Sequence, residues 1–123
     1  MTRPFGWMAR LTESRLARRA RRRAQHHDFV AVFATLVRAR FPGCPDGEER
    51  RIATYACARR TTRVGAMSVE RGYLDEAVDL AVVSHIRHRF TSYEAWLERG
   101  LEREEARERV RDEVSAVLKA WSR

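Results

Sequence analysis

Apolar positions recur at helical rather than alternating spacing along most of the chain, and this pattern predicts an all-α protein. Phe29, Val30, Phe33, Leu36, Val37 and Phe41 form one broad stripe. They predict a first helix that starts at the candidate N-cap Asp28 and stops before Pro42-Gly43. A second helix is expected from Asp46, which has capping-box spacing with Glu49 and is followed by Ile52, Tyr55, Ala56 and Arg59 on one face. Thr61-Thr62-Arg63-Val64-Gly65 reads as the loop that follows. A third helix, from Ser68 or Val69 to Phe90, carries apolar residues on more than one face and should be the central, most buried element. Thr91 and Glu94 again have capping-box spacing, which should end the third helix and open a short fourth one with Trp96 and Leu97 turned inward. Gly100 is placed to close that helix as its C′ residue. Ala106, Val110, Val114, Val117, Leu118 and Trp121 predict a fifth helix over 102–121. Glu105/Arg109, Glu104/Arg107 and Glu108/Arg111 are spaced to pair on its outer face. The expectation is a single compact bundle of about five helices.

The polar positions change this picture at the N-terminus. Residues 1–24 hold eight arginines against one acid, Glu13, whereas the rest of the chain is close to neutral although the whole carries +8. Arg15, Arg18, Arg19, Arg21, Arg22 and Arg23 crowd onto three to four turns of otherwise helix-forming sequence with almost no apolar face. Mutual repulsion makes such a helix marginal alone and firmer against a polyanion. Residues 1–26 are therefore read as a basic arm, flexible or marginally helical, and 27–123 as the helical domain. The arm is either a solvated, frayed extension or a binding element.

An apolar fraction of 44% suits a globular chain and excludes wholesale disorder, and the length suits one domain. Lys119 is the only lysine. Arginine is the better fork for phosphate, but so strong a skew also follows from a GC-rich genome and points to a bacterial source. Cys44 and Cys57 lack metal-site spacing and read as reduced thiols in a cytoplasmic protein. No apolar run is long enough to span a membrane, and no secretory leader pattern opens the sequence.

Candidate chemistry concentrates between His85 and Tyr93, where two histidines, two arginines, hydroxyls and a phenol meet at an expected helix junction. His85 and His88 share a helix face, but no third ligand accompanies them, so no metal and no cofactor are expected. One of the two as a general base is a further possibility. The structural alternative is that histidines at a helix C-terminus complement the dipole and cap free carbonyls. Anion recognition fits better: His85, Arg87, His88 and Arg89 close one helix, Thr91 opens another, and Tyr93 and Tyr55 offer stacking or a hydroxyl. Arg59, Arg60 and Arg63 would complete a basic concavity if their loop folds alongside.

The run from Ala81 to Glu94, with its His-x-Arg-His-x-x-Thr-x-Tyr core, resembles the family known as domain of unknown function 2293. Gly100, the Glu104–Val110 segment, Leu118 and Trp121, and upstream Cys44-Pro45 and Arg59 to Gly65, extend the resemblance over roughly 41–122. Tyr55 stands where that family is expected to have histidine, and Thr61-Thr62 where a small Ser/Gly pair is expected. The resemblance implies no established activity. The expected function is a nucleic-acid- or phosphate-associated module whose partner is the backbone of DNA or RNA, with no membrane partner. An enzyme using a His/Arg site on a phosphorylated or carboxylated substrate, or a helical protein-interaction domain, are the alternatives.

Overall fold

A computed structural model describes residues 14–59 and 71–123, the side chains of residues 59 and 71–73 excepted. Among the described residues every regular element is a helix: α1 Arg15–Arg40, α2 Glu48–Arg59, α3 Arg71–Arg89, α4 Tyr93–Glu98, α5 Arg103–Arg109 and α6 Arg111–Trp121. The all-α reading holds. The expected loop at 61–65 and the start of the third helix lie outside the described residues.

No boundary falls at Asp28. α1 begins at Arg15, where the Ser14 hydroxyl accepts from the Ala17 amide at 3.1 Å and satisfies a donor of the first turn. The basic segment is thus the N-terminal half of α1. Its residues 14–25 are all exposed, and burial begins only at Val30. Val30, Phe33, Ala34 and Val37 then form the expected stripe against the core.

Pro42 bars continuation of α1, and the connector to α2 is held from both sides. The Arg38 guanidinium folds forward over it, donating to the carbonyls of Pro42 at 3.1 Å and Pro45 at 3.2 Å and also to that of Cys44. It further pairs with Glu49. From the other side, the Gly43 amide donates to the Trp121 carbonyl at 2.8 Å. A β-carbon at Gly43 would fall 2.4 Å from the Ala120 carbonyl oxygen, so the last turn of α6 seats directly on this glycine. The expected Asp46–Glu49 box does not form. The Asp46 side chain stays exposed, and Glu49 accepts from the Gly47 amide at 3.2 Å. Gly47 turns the chain at φ +92, a conformation glycine adopts without steric cost.

α3 is central in that it packs against α1, α2, α4 and α6. Val78, Val82 and Ile86 are its wholly buried ridge. The expectation that it is buried on several faces is too broad: Leu80 is 69% exposed and Phe90 39%. At its outer edge Asp79 receives a two-pronged contact from Arg40 at 2.8 and 2.7 Å, which ties α3 to the end of α1.

α4 ends as expected. Gly100 sits at φ +94, with its amide on the Leu97 carbonyl and the Leu101 amide on Trp96, a Schellman closure. The expected fifth helix is divided. Val110, at φ −104 and ψ 6, separates α5 from α6, yet Ala106, Val110, Val114 and Trp121 keep one buried stripe through the break. Of the three expected ion pairs only Glu108–Arg111 is present among the described residues, at 3.4 Å. Arg109 instead lies over Trp96 at 4.9 Å, joined there by Arg99 at 4.7 Å. No helix among the described residues is long and apolar enough to cross a membrane.

Candidate functional site

α2 and the C-terminal half of α3 enclose a cleft of about 870 Å³. α2 contributes Arg50, Arg51, Thr54 and Tyr55; α3 contributes Ser84, His85, His88 and Arg89; Glu94 closes the α4 side. The helix period explains the α3 set: Ser84, His85, His88 and Arg89 fall on neighbouring azimuths, whereas Arg87 lies on the far side.

At the base of the cleft the His85 Nε2–H donates to Glu48 Oε2 at 2.6 Å, with both side chains only 10% exposed. Glu48 is the one buried charged residue among the described residues. Burying a carboxylate is costly unless its charge is countered and its oxygens are bonded. Arg51 meets that requirement on the other oxygen, Oε1, at 2.8 Å. The first turn of α2 also favours a negative side chain there. Both Glu48 oxygens are thus bonded, and the His85 tautomer that donates from Nε2 carries a lone pair on Nδ1.

His88 repeats the arrangement nearer the mouth. Its Nδ1 pairs with Glu94, and its side chain is 45% exposed. This pairing replaces the expected Thr91–Glu94 capping box. Ser92 precedes α4 without a side-chain cap bond. Thr91 instead donates its hydroxyl to the Arg87 carbonyl and accepts from the Tyr93 amide at 3.2 Å. Arg50 and Arg89 line the cleft without a carboxylate in ion-pair range among the described residues, so the cleft wall retains positive charge.

The residues singled out in the sequence therefore separate into groups. His85 and His88 meet in the cleft. Thr91 is spent on the α3–α4 junction, and Tyr93 is buried, its ring edge-on to His88 at 5.1 Å. Arg87 lies over the other face of that junction, 5.8 Å from the Tyr93 ring centroid. It lines a second, smaller cavity of about 370 Å³ with Arg107, Arg111, Glu104 and Glu108. Burial first, and then the neighbouring Arg107, hold the Arg87 guanidinium below its ordinary pKa, with Tyr93 opposing. Arg15, Arg18, Arg19, Arg21, Arg22 and Arg23 all stand exposed on α1. Arg59 ends α2, its side chain undescribed, and Arg60 and Arg63 lie outside the described residues.

Arg89 and Tyr55, singled out in the sequence, line the cleft beside His85 and His88, whereas sequence reasoning missed Arg50 and Arg51 as lining residues and Glu48 as the partner of His85. Glu48 carried one usable signal, an acid in the first turn of a helix, but Glu49 beside it carried the same signal and drew the capping assignment. Among the described residues no three His, Cys, Asp or Glu side chains gather as a metal-ligand set.

No curated protein and no solved structure matches the chain. A family profile, described as an uncharacterized conserved protein, matches residues 36–122, which takes in the cleft, the connector and every helix after α1. The chain belongs to that family, DUF2293.

Proposed function

We propose that the protein is a nucleic-acid-associated helical module. The N-terminal half of α1 supplies sequence-independent phosphate contacts, and the α2–α3 cleft supplies the shaped site. One observation carries this reading: Arg15, Arg18, Arg19, Arg21, Arg22 and Arg23 are all exposed on a helical segment that buries nothing before Val30. Such a segment gains little from the core, while like charges at helical spacing repel. A polyanion removes that repulsion and rewards the helix with phosphate contacts. Arg50 and Arg89 support the same reading for the cleft. Two free, buried thiols support a reducing, cytoplasmic setting, and the arginine skew supports a bacterial source.

The test is binding of the full chain to duplex and single-stranded oligonucleotides at low and high salt. About six phosphate contacts predict a log–log salt slope near −5 on duplex. Absence of binding at low salt refutes the proposal.

A further inference from the structure

The cleft holds more chemistry than backbone binding requires. Each of its two histidines has one ring nitrogen committed to a carboxylate: His85 Nε2 to Glu48, and His88 Nδ1 to Glu94. Each therefore keeps the other ring nitrogen for a further partner, and both rings line the same cleft. Three positions apart on one helix, their β-carbons are about 5–6 Å from each other. The environments differ in a useful way. His85 is almost enclosed, and the charge of its carboxylate is already countered by Arg51. His88 is open to solvent, with Nδ1 on Glu94 and Nε2 left toward the cleft. One imidazole is set to take a proton and its neighbour to give one.

We propose that the α2–α3 cleft cleaves single-stranded RNA by transphosphorylation, with His85 as general base and His88 as general acid. The proposal rests on the nucleic-acid reading above. RNA is the class this equipment suits, because its 2′-hydroxyl is a nucleophile built into the substrate beside the phosphodiester. Only proton transfers and stabilisation of charge on phosphorus are then asked of the protein. His85 Nδ1 accepts the 2′-hydroxyl proton while the 2′-oxygen bonds to phosphorus. The bond from phosphorus to the 5′-oxygen breaks, and that oxygen takes the proton from His88 Nε2. The products are a 2′,3′-cyclic phosphate and a 5′-hydroxyl, with every proton accounted for. Arg50 and Arg89 face the non-bridging oxygens, where negative charge builds. Glu48 is a positioning residue, fixing the tautomer and orientation of His85.

The experiment uses the full chain, an end-labelled single-stranded RNA and a DNA of the same sequence, with chelator present. The RNA should be cut to cyclic-phosphate and 5′-hydroxyl ends, and the DNA bound but uncut. H88A removes an exposed ring and leaves the buried dyad intact, so it should fold. It should lose roughly 10²–10⁴ in rate while still binding RNA. E48Q should lower the rate about tenfold and displace the acidic limb of a bell-shaped pH profile, the limb set by the general base, as expected when one imidazole must be neutral and the other protonated. The charged and titratable groups facing these rings are Glu48, Arg50, Arg51 and Tyr55 from α2, Arg89 from α3, and Tyr93 and Glu94 from α4. Bound but uncut RNA overturns the catalytic proposal and leaves the binding function standing. Equal cutting by H88A also overturns it, by assigning the activity to another source. Failure to bind either nucleic acid removes both.

Discussion

Glu48 and His85 stand 37 positions apart in the chain and meet at 2.6 Å, joining the first turn of α2 to the last third of α3. The contact is nearly enclosed, so its removal acts on stability as well as on the cleft. Glu48→Ala leaves Arg51 and the imidazole without their shared acceptor, and the fold should lose about 1–3 kcal/mol. Chemical denaturation with the slope unchanged and the midpoint lowered is the expected record. An unaltered midpoint would show that the pair is mechanically idle.

Gly43 carries the contact between the α1–α2 connector and the end of α6. An added β-carbon has backbone, not a flexible side chain, in its way: the Ala120 carbonyl oxygen at 2.4 Å and the Trp121 Cα at 3.0 Å. Gly43→Ala should therefore displace the last turn of α6 and cost roughly 1–3 kcal/mol. Thermal melting reads this directly, and Trp121 fluorescence should change with it, since that ring packs edge-on to Phe90 at 5.2 Å. Gly100→Ala has open space but a φ of +94, so its cost comes from backbone strain alone and should be about 1 kcal/mol.

Periodicity made the helices legible because each buries a stripe that recurs within a few residues. Val30, Phe33 and Val37 on α1, and Ala106, Val110 and Val114 across α5 and α6, lie where the pattern put them. His85 and His88 were legible for the same reason. Spacing rules failed where a side chain had a better partner from outside their window. Glu94 has capping spacing to Thr91, but His88 offers it a ring N–H, and the box gives way. Glu49 turns to Gly47 and Arg38 rather than to Asp46. Glu105 and Arg109 have pairing distance in sequence, yet Arg109 takes the face of Trp96. Leu80 and Phe90 are exposed although the third helix was expected to be buried on more than one face, because an apolar count registers apolarity without direction. The floor of the cleft was hidden for a different reason: Glu48 reaches His85 only through the packing of two helices, which no local spacing encodes.

Cys44 gives the fold an alkaline weakness. Its thiol is buried, and desolvation, the largest influence, pushes its pKa up to about 11 from 9.0 although Arg38 opposes. Below pH 9 the thiol is protonated folded and unfolded alike, and the full stability is present. Between about pH 9 and 11 the unfolded chain loses the proton and the folded chain keeps it, so stability falls as pH rises. Cys57, raised by burial alone, adds in the same direction. Denaturation midpoints should decline across this window and decline less in a Cys44→Ala variant. In the native protein at pH 8 both thiols should resist alkylation and react at once when denatured.

The exposed half of α1 yields a prediction that separates charge from fold. Replacing Arg18, Arg19 and Arg22 together by alanine touches no buried residue, and alanine is the better helix former, so melting temperature should hold or rise slightly. Nucleic-acid affinity should drop at low salt for every sequence alike, because phosphate contacts carry no base information. If each arginine neutralises one phosphate, the log–log salt slope on duplex should become shallower by about 2.7, close to 0.9 per contact. Affinity lost without any change in slope would mean that these arginines act through the shape of α1 rather than through their charge. An unchanged affinity would remove the half-helix from the binding surface and leave the cleft to account for it.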